Sequence, residues 1–105
     1  MDIRLDLERG LEEDLDTIQE EELEPMYRVI IHNDDITPME FVIVILQRIF
    51  EQNPLQAEHV MLIAHLEGMA YVCTLPLPEA QKRVGKAHFA AQLEGFPLLF
   101  TIEPE

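Results

Sequence analysis

The residues best suited to chemistry lie in one short stretch, residues 32–42, which reads HNDDITPMEFV. It begins with hydrogen-bond acceptors, Asn33 and Asp34, and continues into apolar side chains such as Met39 and Val42. A ligand bound there would carry donors at one end and an apolar body at the other. The first residue of a protein has that form, because its α-amino group has a pKa of ~7.7–8.0 and is a hydrogen-bond donor when charged. An amide oxygen and a carboxylate can both accept from it.

The residues on either side of this stretch predict the elements that hold it in place. Residues 27–32 are mostly β-branched or aromatic, which predicts a strand, and the Asn and Asp residues that follow favour a turn. Thr37 and Pro38 then fit a helix N-cap and a first-turn proline, and Glu40 stands at the capping-box spacing from Thr37. This helix is predicted to run to about Gln52. The candidate residues are therefore expected at a strand-to-helix connection.

The rest of the chain predicts two more helices and two more strands. They follow in the order helix, strand, helix, strand, at residues 54–66, 69–75, 78–93 and 98–102. Gly68 and Gly95 stand where a helix-ending glycine is expected. The complete order, β-α-α-β-α-β, predicts an α+β domain of two layers, with three helices covering one face of a three-stranded antiparallel sheet. The predicted inward helix positions are Val42, Ile45, Leu46 and Ile49; Ala57, Val60, Met61 and Ala64; and Ala80, Val84, Ala87 and Ala91.

Charge divides the chain into two parts. Residues 1–25 hold eleven acidic residues and two arginines, whereas residues 26–105 hold ten acidic and five basic residues. The first part has no aromatic residue and its like charges repel, so it is predicted to be a flexible acidic arm with a transient helix near residues 11–18. Residues 26–105 are predicted to form a single folded domain, because a chain of 105 residues fits one.

The net charge of −14 narrows the classes of partner. Nucleic acids and anionic membrane surfaces are bound mainly through Lys and Arg, so neither is expected. No apolar run is long enough to span a bilayer, and the acidic N-terminus lacks the basic start of a secretory signal. The single cysteine, Cys73, allows no internal disulfide, which suits a cytoplasmic protein. An acidic protein instead attracts cationic groups such as an α-amino group.

A family resemblance rests on one long motif and its spacing to later residues. The string NDDITPMEFV at residues 33–42 is followed by MLIAH at residues 61–65, by Gly68, and by PLL at residues 97–99. In this pattern the sequence resembles the ClpS family of N-degron adaptors from residue 27 to residue 101. The resemblance implies a non-enzymatic adaptor without a cofactor. It would bind proteins that begin with Leu, Phe, Tyr or Trp and deliver them to the N-terminal domain of a ClpA- or ClpC-type unfoldase, for degradation by ClpP. We expect it to be a monomer.

The resemblance also implies a role for particular residues of this sequence. The α-amino group and the first peptide bond would be held by Asn33, Asp34 and His65. The rim of the pocket would be formed by Asp35 and Thr37. The walls of the side-chain pocket would be formed by Met39, Val42, Met61, Ala64 and Leu98, with Met39 at the position that rejects β-branched first residues. The unfoldase would dock near Pro78 and Arg83.

The sequence departs from the family pattern in three places. Ala64 stands where the family usually has a larger aliphatic residue, which predicts a wider pocket. Pro76 and Pro78 replace the usual polar start of the third helix, which alters the expected docking contacts, although Arg83 keeps the positive charge. The arm at residues 1–25 is unusually acidic. In the family this arm acts during delivery by entering the unfoldase.

Each candidate residue also has an ordinary structural explanation, and the sequence alone leaves these open. Asn and Asp are common in any strand-to-helix turn, and Met39 and Met61 are typical of a hydrophobic core. His65 is compatible with a plain helix histidine. The remaining histidines are interpreted as structural or surface residues: His32, His59 and His88.

Other chemistry has weaker support. No His-x-x-x-His or Cys-x-x-Cys spacing suggests zinc, and residues 33–35 are not followed by the glycine and glutamate of a calcium loop. A small hydrolase built on Asp34 and His65 is one alternative. Another is a domain similar to the C-terminal domain of the ribosomal stalk protein, which shares the order β-α-α-β-α-β. That domain typically uses a lysine-rich face, whereas here the bases that cluster are Lys82, Arg83 and Lys86.

Overall fold

The computed structural model describes residues 24–105, so nearly all of the predicted arm lies outside the described residues. The elements are β1 (Met26–His32), α1 (Met39–Arg48), α2 (Pro54–Glu67), β2 (Met69–Pro76), α3 (Leu77–Leu93) and β3 (Leu99–Pro104). This order confirms the predicted α+β class and the sequence β-α-α-β-α-β.

Strand β1 lies at the centre of an antiparallel sheet with the order β2-β1-β3. Val29 and Ile31 on β1 are almost completely buried, because one face of the central strand is covered by helices. The two neighbours bring distant parts of the chain together. Met26 pairs with Pro76 at one end of β1, and His32 pairs with Met69 of β2 at the other. The start of α3 and the end of α2 therefore lie at opposite ends of the central strand.

The helices pack the predicted apolar faces into a single core. The buried residues of α2 are Ala57, Val60, Met61 and Ala64, and those of α3 are Ala80, Val84, Ala87 and Ala91, as the spacing predicts. In α1, Val42, Ile45 and Leu46 are buried, while Ile49 packs partly buried against the core. The rings of Phe50 and Phe100 stack inside it with centroids 4.9 Å apart. The core holds the connections at the ends of β1 in place.

Both predicted ends of the first helix were wrong, for different reasons. The helix begins at Met39 with Pro38 as N-cap, and the Thr37 hydroxyl instead donates to Asp34 in the preceding turn. At its C-terminal end the helix stops at Arg48 rather than Gln52. Glu51 there has a φ of 57°, and the Gln52 amide donates back to the carbonyl of Leu46. Helical periodicity gives no sign of this reversal of the backbone at Glu51, so the predicted helix extended beyond it.

Helix α2 has clear signals at both ends. Asn53 and Gln56 form a capping box, each side chain accepting from the other's backbone amide at 2.8 and 3.1 Å. Gly68 ends the helix with a φ of 95°, a left-handed conformation that costs other residues more than glycine. These two ends fix where the last turn of α2, with His65, lies relative to β1.

Candidate functional site

A cavity lies at the end of β1, where the β1–α1 connection meets α2. Its volume is about 290 Å³, including the open mouth. The buried part of its apolar lining consists of five side chains: Ile31, Val42, Met61, Ala64 and Leu98. Polar lining comes from Asn33, Asp34, Thr37, His65 and His32, all of them at least partly exposed. The cavity therefore has an apolar floor and a polar mouth.

Asp34 organises the turn at this mouth. Its Oδ1 accepts from the amides of Ile36 at 2.8 Å and of Thr37 at 2.6 Å, and its Oδ2 accepts from the Thr37 hydroxyl at 2.8 Å. The ordinary explanation for this residue, a turn former, is thus correct as far as it goes. The turn does not use the full hydrogen-bonding capacity of the carboxylate, because an ionised carboxylate has about four lone-pair sites and three are used here.

The same contacts set the charge state of Asp34. Desolvation by itself would raise the pKa of this carboxyl group. The hydrogen bonds from the backbone and side chain of Thr37 and from the backbone of Ile36 outweigh that effect and hold the pKa below its ordinary value of 3.8. A negative charge is therefore present at the mouth of the cavity at neutral pH.

Asn33 and His65 bring two separate segments to the mouth. The backbone amide of Asn33 donates to the carbonyl of Gly68 at 2.9 Å, which ties the end of β1 to the end of α2. Both side chains are exposed and line the cavity. Within residues 24–105, neither the side-chain amide of Asn33 nor the ring of His65 forms a hydrogen bond. Their polar atoms are thus available to a ligand.

The apolar side of the cavity combines rigid and flexible groups. Val42 and Met61 face it from α1 and α2 and are each 8% exposed, and Ala64 follows Met61 by three residues on the same face of α2. Leu98 enters from the segment before β3. Met39, in the first turn of α1, is 43% exposed and lines the entrance. Met61 thus belongs to the core and to the cavity, whereas Met39 belongs to the entrance alone.

Most of the residues singled out from the sequence meet at this cavity, but three do not. Asp35 is exposed and does not line it. Pro78 and Arg83 lie on α3, which begins at the opposite end of β1. Two lining residues had not been predicted, Ile31 and His32. Their signal was their position, since they are the last residues of β1 before Asn33. A side-chain contact of 2.7 Å between His32 Nε2 and Thr101 Oγ1 holds the histidine in place.

Arg83 does not present an unpaired charge. Its Nε donates to Glu79 Oε1 at 2.9 Å, and its Nη2 lies 3.7 Å from Glu51 Oε2. The hydrogen bond from Arg83 is the main reason that the pKa of Glu79 is lowered. This pairing connects α3 to the segment between α1 and α2. A partner that uses Arg83 would therefore have to share it with Glu79 and Glu51.

A second, larger hollow lies between α2 and β2, with a volume of about 750 Å³ including open solvent. It is shallow, and its lining includes Val60, Ile63 and Tyr71. No carboxylate lines it, so it offers no anionic acceptor for a cationic group. The cavity at the end of β1 is the better candidate because it is the more enclosed of the two and a carboxylate lies at its mouth.

The alternatives that depend on other chemistry find little support in residues 24–105. This part of the chain contains no cluster of three or more metal-ligating side chains. Cys73 is partly buried in β2, and burial raises the pKa of its thiol, which disfavours the reactive thiolate. None of the described helices is long and apolar enough to cross a membrane.

The fold and the site together define a class of protein: a small α+β domain with a cavity that has an anionic mouth and an apolar floor. Comparison with known proteins gives the family. Residues 22–101 match the family described as "ATP-dependent Clp protease adaptor protein ClpS". The chain belongs to the ClpS family of Clp protease adaptors.

Individual relatives agree with this assignment. The chain is 38% identical over 87 residues to the ClpS adapter protein of Desulfatibacillum aliphaticivorans, covering 83% of this chain and 84% of the relative. It is 41% identical over 93 residues to that of Oleidesulfovibrio alaskensis, covering 87% and 89%. Among solved structures it is similar to Agrobacterium tumefaciens ClpS2 bound to L-phenylalaninamide, with a TM-score of 0.75, 38% identity, and 78% and 99% of the two chains covered.

Proposed function

We propose that this protein binds the first residue of proteins that begin with Leu, Phe, Tyr or Trp and delivers them to a ClpA- or ClpC-type unfoldase for degradation by ClpP. The observation that carries the proposal is the cavity at the end of β1, with a charged acceptor at its mouth and an apolar floor. The similar ClpS2 was solved with L-phenylalaninamide, which has a free α-amino group beside an aromatic side chain. A ligand of that form matches the chemistry of both ends of this cavity, the anionic mouth and the apolar floor.

The α-amino group is bound at the mouth. Asp34 supplies a negative charge and the remaining lone pair of Oδ2, because its other lone pairs are occupied by the turn. Asn33 accepts through its side-chain oxygen, and His65 contacts the amine or the first peptide bond from α2. Each hydrogen bond to the charged amine contributes ~1.5–3 kcal/mol. These contacts require a free, protonated chain end.

The side chain of the first residue occupies the apolar floor. Burying a Leu or Phe side chain contributes ~1.5–3 kcal/mol. Methionine is flexible and makes favourable contacts with aromatic rings, so Met39 and Met61 accommodate both aliphatic and aromatic side chains. A residue branched at Cβ is stiff and wide next to the backbone, so it collides with Met39 at the entrance. The specificity is therefore for large side chains without a branch at Cβ.

Delivery requires a second surface away from this cavity. We place the docking site of the unfoldase at the start of α3, around Pro78 and Arg83. β1 separates this site from the cavity, and a seven-residue strand spans about 20 Å. Both surfaces can therefore be occupied at once, as a carrier requires. In this proposal residues 26–105 are the adaptor core, residues 1–25 are an arm that acts during delivery, and the protein works in the cytoplasm as a monomer without enzymatic activity.

A peptide titration tests the binding step. Short peptides that begin with Leu or Phe are compared with the same peptides acetylated at the α-amino group, with isothermal calorimetry or fluorescence anisotropy as the readout. Acetylation removes the charge and leaves the side chain unchanged, so binding of the free peptides and nearly complete loss with the acetylated ones is expected. Equal affinity for the two forms would contradict the proposal. Neither peptide should be hydrolysed, and turnover that depends on Asp34 would favour the hydrolase alternative instead.

Delivery is tested separately with a purified unfoldase–protease pair. A stable substrate protein that begins with Phe should be degraded faster in the presence of the adaptor, whereas the same protein beginning with Ala should not. Arg83→Glu should abolish this stimulation and leave peptide affinity unchanged, because Arg83 lies on α3 and does not line the cavity. Stimulation that survives Arg83→Glu would place the docking surface elsewhere.

A further inference from the structure

The solvent-facing side of α3 carries exposed basic and apolar side chains that are not part of the hydrophobic core. Four exposed residues at helical spacing form this surface, which we call the outer face of α3: Lys82, Lys86, Phe89 and Leu93. They lie opposite the buried alanines and Val84 of the same helix. Phe89 is 62% exposed and Leu93 is 71% exposed, one turn apart. The outer face is therefore basic in its first half and apolar in its second.

Two further features mark this face as unpartnered. Within residues 24–105, Lys82 and Lys86 form no ion pair, in contrast to the neighbouring Arg83. Gly85 lies between them, and a Cβ built there would have no heavy atom within 4 Å. Glycine is unfavourable in the middle of a helix, and here it leaves a shallow gap in the outer face. Such a gap lets a second segment approach the helix closely.

The chain itself contains a segment of complementary character. Residues 11–18 read LEEDLDTI, with Leu11, Leu15 and Ile18 at helical spacing and four acidic residues between them. There is no basic residue in the segment, and residues 1–25 together carry eleven acidic residues against two arginines. An apolar stripe bordered by acids matches a face that is part basic and part apolar.

The start of β1 places this segment within reach of the outer face. Met26 pairs with Pro76, the residue directly before α3 begins at Leu77. Residue 18 precedes Met26 by eight positions, which a fully extended chain spans in at most about 26–29 Å. Leu93 lies sixteen residues along the helix from Leu77, or about 24 Å. The arm thus leaves the domain at the start of α3 and is long enough to lie along it.

From this juxtaposition we propose that residues 11–18 bind the outer face of α3 in the same chain, with their acids at Lys82 and Lys86 and their apolar stripe on Phe89 and Leu93. This contact does not depend on the proposed substrate.

Photo-crosslinking of the full chain tests the contact. The amino acid p-benzoylphenylalanine replaces Phe89 in one protein and Val44, an exposed apolar residue of α1, in a control. After irradiation of dilute protein, we expect crosslinks from position 89 to residues 11–18 in the monomer band, located by mass spectrometry, and none to that segment from position 44. Crosslinks that join two chains, that reach another segment, or that are equal from both positions would overturn the proposal, as would their absence at position 89.

A charge reversal separates specific pairing from general attraction. Lys86→Glu and Arg48→Glu each reverse one exposed basic residue, but Arg48 lies on α1. Lys86→Glu should lower the crosslink yield from position 89 about threefold, the size expected for one exposed ion pair, and Arg48→Glu should leave it unchanged. Circular dichroism confirms that both variants are folded. An equal loss in the two variants, or no loss in either, would contradict the assignment of the acids to Lys86.

Discussion

The backbone amide of Asn33 donates a hydrogen bond of 2.9 Å to the carbonyl of Gly68, and this contact joins the two halves of the candidate site. Asn33 is the first residue after β1, and Gly68 caps the helix that carries His65. The distance between the Asn33 and His65 side chains therefore depends on the left-handed conformation of a glycine.

Gly68→Ala should weaken peptide binding as well as stability. The φ of 95° is strained for alanine, which costs about 1–2 kcal/mol. Gly95→Ala is a control for the backbone strain alone, because Gly95 has a φ of 75°, is equally uncrowded, and does not line the cavity. Chemical denaturation should show similar losses for both variants, and titration with a Phe-starting peptide should show a weaker affinity for Gly68→Ala alone. Equal peptide affinities of the two variants would show that the Gly68 contact does not control the geometry of the site.

Asp34→Asn should weaken binding of a free N-terminus about tenfold or more, because a charge-assisted bond of ~1.5–3 kcal/mol is lost. Asparagine can still accept from the amides of Ile36 and Thr37, so this variant preserves the turn better than Asp34→Ala. Asp35→Asn is the control, since Asp35 is exposed and does not line the cavity. A comparable loss for Asp35→Asn would move the charged acceptor from Asp34 to its neighbour, or would indicate attraction by net charge alone.

Met39→Ala should allow peptides that begin with Ile or Val to bind. Met39 lines the entrance of the cavity, and removing its side chain makes room for a branch at Cβ. Met69→Ala removes another exposed methionine, on β2, that does not line the cavity, and it should leave the preference unchanged. Competition between Leu-, Ile- and Val-starting peptides measures the effect. Continued rejection of Ile and Val by Met39→Ala would show that another group excludes them.

Ala64→Val should shift the preference from large to small first residues. Ala64 is 3% exposed and lies on the floor, so added methyl groups reduce the depth of the cavity. Overpacking by a ligand as large as Trp would then cost about 1–3 kcal/mol, which is roughly 5- to 150-fold in affinity. Leu-starting peptides should be affected less. A uniform loss for Leu, Phe and Trp would indicate that the variant distorts the site instead of narrowing it.

The stability of the β1–α1 turn should depend on pH at the acidic end. The pKa of Asp34 is lowered on folding, so its ionised form contributes stability that is fully present above the ordinary value of 3.8 and is lost as the pH falls through the lower folded value. The free-energy difference between the wild type and Asp34→Asn, measured by denaturant unfolding, should therefore be larger at pH 7 than near pH 3. A constant difference for Asp34→Asn would contradict the pKa shift.

The order of elements and their inward faces could be read from the sequence because both depend on local patterns. Helical spacing identified Ala57, Val60, Met61 and Ala64, and the same rule identified the buried side of α3. Periodicity says less about where a helix stops. It could not show that Glu51 adopts a positive φ and that Gln52 hydrogen bonds back to Leu46.

The sequence by itself determined which residue types could bind a charged chain end and where along the chain they occur. Only the tertiary structure decided which of them meet. It brought His65 and Leu98 to the cavity with Asn33, left Asp35 outside, and paired Arg83 with Glu51. The physical reason is that these distances are set by how α2 and α3 pack on the sheet. That packing depends on the shapes of side chains far apart in sequence, which no local pattern records.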